Sequence, residues 1–320
     1  MKKRFRVFGV VLCLLLFTGF ALGSGSSSDS NKVDKEIKSV GDKSSNNENT
    51  SKSTDKPGAD TGKSDTSSDT KKDEITVAEQ VVLDTKDIKI TVKGLENSLF
   101  GPKLKVLIEN NTEKGLTFQV RNASVNGYMA DTMMSEDVAA GKKANSGITF
   151  TTSKLEACGI TTFTDMEFSF HIFYSDNWDT FLNSEPIIVE TSAKGSHVQT
   201  IDDSGTVFYD QNGIKIIGKG LSSNESIFGP GLILYIENNS SKNVTVQARD
   251  TSVNGFMIDS TMSEDVAIGK KAVTALTFFN SSLEENEVTE IESIEASFHV
   301  FDADTWDDIV NTEPIKINFK

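Results

Sequence analysis

Apolar and polar residues alternate over short stretches through most of the chain beyond residue 87. Ile88, Ile90 and Val92 are separated by polar residues, and Ile214 and Ile216 repeat the pattern later. Successive side chains of an extended backbone point to opposite faces, so a period of two marks a half-buried strand. Residues 104–108 and 232–236 are short apolar runs that end at Asn-Asn pairs, which read as turns. Residues 116–125, 148–152, 166–174 and 187–191 continue the series, and no stretch sustains a helical period. Short strands with turn signals between them predict an all-β protein of sandwich type.

The pattern occurs twice. "VNGYMADTMMSEDVAAGKK" at residues 125–143 returns as "VNGFMIDSTMSEDVAIGKK" at residues 253–271, an offset of 128. The same register matches Phe100-Gly101-Pro102 to Phe228-Gly229-Pro230, Arg121 to Arg249, Phe170-His171 to Phe298-His299 and Trp178 to Trp306. Lys93-Gly94-Leu95 meets Lys219-Gly220-Leu221 at an offset of 126, so one early loop differs in length. A repeat that runs without a gap from Phe100 to about Glu190 predicts two tandem domains. We place them at residues 79–193 and 204–320, joined by a linker at 194–203. Asn126-Gly127 and Asn254-Gly255 each leave an alternating strand, which predicts a two-residue hairpin turn. Gly141 and Gly269 read as turns before the next strand.

The N-terminal region is of another kind. Lys2, Lys3, Arg4 and Arg6 precede an apolar run over residues 7–21, and Ala21 and Gly23 supply the small residues of a cleavage site. This order predicts a signal segment at 1–23, cleaved or retained as an anchor. Residues 24–78 are rich in Ser, Asp and Lys and poor in apolar groups, so they predict a disordered tether. The expected location is therefore secreted or cell-envelope, with membrane contact only through the N-terminal segment. Cys13 lies in the apolar run and leaves Cys158 as the one thiol of the folded part, so no intrachain disulfide is expected. The net charge is −15, and the excess of acid lies in the two repeats. Such a surface repels phosphate backbones and argues against nucleic acid as a partner.

Three stretches carry a family resemblance: "KLKVLIENNTEKGLTFQV" at 103–120, "AGKKANSGITF" at 140–150 and "EFSFHIFYSDNWDTFLNSEPIIVET" at 167–191. Together they resemble the uncharacterised immunoglobulin-like domains of Gram-positive secreted and cell-envelope proteins. The resemblance implies an extracellular β-sandwich and brings no catalytic residues. Members often carry a lipid-modified cysteine before a Ser-rich tether, but Gly25 stands at the corresponding place here. The inter-sheet disulfide of antibody domains is absent too, and the Trp lies late in each repeat.

Candidate chemistry is sparse. His171 and His299 occupy equivalent strand positions and His197 lies in the linker, with no cluster of zinc ligands near any of them. No nucleophile elbow is present. "GKGLSS" at 218–223 lacks the third glycine and the following helix of a phosphate-binding loop. "DADTWDDIVNTE" at 302–313 imitates a calcium loop, but Trp306 and Asp307 stand where an oxygen ligand and a sharp-turn glycine are needed. A looser calcium site on Asp302, Asp304, Asp307 or Asp308 stays open at this point.

Two further sets deserve comparison. Asp131, Glu136 and Asp137, with Asp259, Glu264 and Asp265 in the second copy, form either solvated acidic loops or a divalent-cation site. Trp178 and Trp306 are either rings folded over a sandwich end or exposed platforms for a sugar or a partner side chain. Tyr128 and Phe256, after the hairpin turns, admit the same two readings. The sequence thus predicts a non-enzymatic binding or adhesion module for a surface protein, peptide or carbohydrate. The alternative is a structural spacer stiffened by a divalent cation. No cofactor is expected apart from that calcium candidate.

Overall fold

The computed structural model describes residues 74–222 and 227–319. The expected signal segment and nearly all of the tether lie outside the described residues. Thr76 and Val77, at the end of the expected tether, pack on the first repeat. The Thr76 carbonyl accepts the Ser192 N–H at 2.8 Å, and Val77 is buried.

The first repeat runs through β1 (Gln80–Asp84), β2 (Ile88–Ser98), β3 (Gly101–Asn110), β4 (Leu116–Val125), β5 (Tyr128–Met129) and β6 (Thr132–Met133). It continues with β7 (Ser135–Val138), β8 (Lys143–Phe150), α1 (Thr152–Ala157), β9 (Asp165–Tyr174), β10 (Thr180–Asn183) and β11 (Ile187–Glu190). The second repeat follows with β12 (Thr206–Gln211), β13 (Ile214–Leu221), β14 (Gly231–Asn238), β15 (Val244–Val253), β16 (Phe256–Met257) and β17 (Ser260–Thr261). Its remaining elements are β18 (Ser263–Val266), β19 (Lys271–Phe278), α2 (Asn280–Glu285), β20 (Ser293–Asp302), β21 (Asp308–Asn311) and β22 (Ile315–Asn318).

In repeat 1, one sheet has the order β1-β2-β3-β8-β6. The other is built on the β4–β9 pair, with β10 and β11 beyond β9 and β5 and β7 beyond β4. Chain crossings from β3 to β4 and from β8 to β9 give an immunoglobulin-like sandwich with one added edge strand. Repeat 2 has the same arrangement, with β13, β14 and β19 in one sheet and β15 and β20 in the other. Alternation along β9 sends Phe168, Phe170 and Ile172 inward, where they meet Leu104, Ile108, Phe118 and Ile148. Phe298 and Val300 on β20 do the same against Ile216, Leu234 and Leu276.

The repeated motifs have structural causes. Asn126 and Gly127 adopt φ of 51° and 83°, and Asn254 and Gly255 adopt 52° and 87°, the paired positive φ of a tight hairpin turn. The first Asn of each Asn-Asn pair is a buried staple. Asn110 Nδ2 donates to the Lys114 and Val138 carbonyls at 2.8 and 2.9 Å, and Asn238 Nδ2 donates to those of Lys242 and Val266 at 2.8 and 2.7 Å. Gly101 and Gly229 sit at φ of 137° and 140°, where a Cβ would come within 2.0 Å of the Phe150 and Phe278 carbonyl oxygens.

Two expectations change. The Ser-Glu-Asp segments are not loops: β7 and β18 pair antiparallel with β4 and β15. A six-residue helix also follows β8 and β19, each with one central Leu buried, too short to leave a periodic signal.

Candidate functional site

The aromatic platforms begin on β9 and β20. Phe173 and Phe301 point outward, and each is nonetheless buried because a Trp ring lies over it. Trp178 stacks on Phe173 with centroids 5.3 Å apart and planes 17° apart, and Trp306 stacks on Phe301 at 5.4 Å and 17°. The outward histidines extend each row: His171 lies 5.3 Å from Phe173 and His299 lies 5.0 Å from Phe301. Each Trp is 74% exposed, so one ring face is covered and the other is open. Each ring thus folds back on its own sheet and keeps its outer face exposed.

The backbone that presents them is unusual. Trp178 and Trp306 both have φ of 65°, a left-handed conformation that is rare for a bulky residue. It costs about 1–3 kcal/mol at each site and persists only where surroundings enforce it. Enforcement is visible: the Trp178 N–H donates to the Tyr174 carbonyl at 2.9 Å, and the Trp306 N–H donates to that of Asp302 at 2.8 Å. Asp302 braces the second turn further. Its carboxylate accepts the Asp304 and Thr305 N–H groups at 2.9 and 3.2 Å and pairs with Lys242 at 2.8 Å. The Lys242 bond, with these backbone donors, holds the Asp302 carboxyl down at about 2. These contacts engage the Asp302 carboxylate that was considered above as a calcium ligand. His299 is held as well, with Arg249 Nη2 donating to Nδ1 at 2.5 Å and Nε2 donating to Asp308 at 2.6 Å.

The acidic sets are dispersed by strand geometry. Glu136 and Asp137 are successive residues of β7, as Glu264 and Asp265 are of β18, so each pair diverges to opposite faces. Asp137 and Asp265 each accept the hydroxyl of a neighbouring-strand threonine, Thr117 at 2.5 Å and Thr245 at 2.6 Å. Among the described residues no three His, Cys, Asp or Glu side chains are grouped to hold a metal ion. Asp131 lies not with its own repeat's acids but in a groove of about 560 Å³ shared with Glu264, Asp265 and Asp304. Asp259 lies at the end of the second hairpin, where its N–H donates to Ser282 Oγ at 3.0 Å.

Tyr128 and Phe256 occupy equivalent positions and have opposite surroundings. Tyr128 is 3% exposed and Met129 7%, whereas Phe256 is 50% exposed and Met257 66%. The first hairpin is inserted against the second repeat. Tyr128 pairs in parallel with Lys271 on β19, and the Lys271 N–H donates to the Gly127 carbonyl at 3.0 Å. Tyr128, Leu155 and Cys158 share a core with Ile217, Tyr235 and Val273 of repeat 2. Burial pushes the Tyr128 hydroxyl and the Cys158 thiol up. At the rim, Lys154 meets both oxygens of Glu264 at 2.7 and 2.8 Å, and Lys270 meets Glu167 at 2.6 Å. Burial raises the Glu264 carboxyl despite the opposing effect of Lys154. The two repeats thus fall in one compact unit.

This junction was missed from the sequence, although a signal existed. Ile217, Ile233 and Val273 stand where repeat 1 has the polar residues Thr91, Lys105 and Asn145. Those positions face outward from their sheet, so apolar residues there break the period of two and mark a covered face.

No protein-family model and no curated protein matches the chain. Among solved structures, the chain is similar to the crystal structure of the YadV chaperone. The identity is 12% and the TM-score 0.23, over 72% of this chain and 100% of that one.

Proposed function

We propose that the chain is a non-catalytic binding module, displayed outside the cell or on its envelope, whose ligand rests on the Trp178 and Trp306 platforms. The observation that carries this reading is the duplicated geometry: an open Trp ring face, held at a costly positive φ and backed by a stacked Phe, in both repeats. An open indole face takes the apolar face of a sugar ring or a flat side chain of a protein or peptide. Two platforms on one compact unit allow one ligand molecule or surface to be held twice, which raises avidity without new contacts. The basic and then apolar order of residues 1–23, followed by a polar tether, supports export and display.

The spacer reading keeps one specific support, the buried junction, which would stiffen the pair through packing and Lys154–Glu264 without any cation. A glycan array and a surface-protein pull-down, run with wild type and with the W178A/W306A double variant, test the binding reading. Binding that the double variant loses supports it. Binding that is unchanged in the double variant, or no binding by the wild type to any glycan or surface protein, refutes it.

A further inference from the structure

We propose that the free hairpin of repeat 2 docks on repeat 1 of a second copy, repeating between chains the junction found within one. The first hairpin shows what this element does: it buries Tyr128 against β19 of the following repeat and Met129 in that repeat's core. The second hairpin, built with the same turn, leaves Phe256 and Met257 exposed. Its strand β16 lies at the end of its sheet and, among the described residues, pairs only to β15.

The receiving edge is also present. In repeat 1, β6 pairs β8 only at Phe150 and Thr149, so among the described residues the Lys143 end of β8 has no strand on that side. This is the counterpart of the β19 edge that accepts the first hairpin. Docking there places the Lys143 N–H opposite the Gly255 carbonyl, the counterpart of the Lys271–Gly127 bond. It also places Lys142 opposite Glu295, the counterparts of the Lys270 and Glu167 pair.

Charge argues for a second copy as the occupant. Where the two repeats differ around this element, the hairpin end of repeat 2 gains acids, with Glu285 and Glu287 in place of Ala157 and Gly159. The receiving face of repeat 1 gains Lys103 and Lys105 in place of Gly231 and Ile233, a pair of bases that share the single carboxylate of Glu96 at 3.5 and 3.6 Å and so keep a net positive charge. The contact joins two different surfaces, so successive copies add head to tail and need not close. It lacks the connecting linker that favours the contact within a chain, and the receiving face is more polar, so association depends on concentration and weakens with salt.

Sedimentation of the full chain over a wide concentration range, in detergent to keep its N-terminal apolar segment from associating, tests the proposal. The wild type is expected to show a concentration-dependent rise in mass, and F256S/M257S is expected to lose it. K142E should weaken association a few-fold, and adding E295K should restore it. K105I/N145V, which rebuilds part of the repeat 2 socket on repeat 1, should strengthen it. A wild type that stays monomeric, association that survives F256S/M257S, or a charge swap that fails to restore it overturns the proposal.

Discussion

Lys154 of the first sandwich places its ammonium 2.7 Å from one carboxylate oxygen of Glu264 in the second, and both side chains are about nine-tenths buried. A pair in this setting is valuable mainly in what happens when one member is removed. The K154M variant leaves the Glu264 carboxyl buried without its partner, which costs about 3–5 kcal/mol. Chemical denaturation should show that loss, and K154M/E264L should recover most of it.

The same residue position should carry different weight in the two repeats. Tyr128→Ala removes a ring from the junction core and should destabilise the chain by about 3–5 kcal/mol. Phe256→Ala removes an exposed ring and should change stability by no more than about 0.5 kcal/mol. Equal effects in urea denaturation would contradict the buried junction.

Asp302 should give the second repeat an acid-sensitive brace. Its folded pKa of about 2 lies below the ordinary value of 3.8, so the folded state favours the carboxylate. The resulting stabilisation is present above the ordinary pKa and fades as pH falls through about 2. The melting temperature of wild type should therefore exceed that of Asp302→Asn most clearly at neutral pH, and the two should converge near pH 2. Tyr174 stands at the equivalent place in repeat 1, which has no such brace.

The sandwiches were legible because their causes are local. Period-two alternation exposed the strands, and Asn126-Gly127 declared its hairpin through backbone conformation alone. The "MSED" segment was not legible as a loop or a site, because its residues answer to partners distant in sequence. Met262 fills the second core, Asp265 accepts the Thr245 hydroxyl and Glu264 meets Lys154 of the other repeat. The platforms were half legible. Tryptophan among acids suggested a surface ring, but the left-handed φ and the stacking on Phe173 and Phe301 arise only once the turn closes over the sheet.

Trp178 and Trp306 are the only two tryptophans of the chain, so indole emission reports on the proposed platforms without a label. Titrating the full chain with a glycan or peptide retained in the screens, while recording emission and its quenching by acrylamide, tests the binding reading most directly. Ligand resting on the indoles should give a saturable change in emission, protection from acrylamide, and a smaller amplitude in each single Trp-to-Ala variant. Saturable binding by an independent method, with emission and acrylamide access unchanged, would contradict that reading.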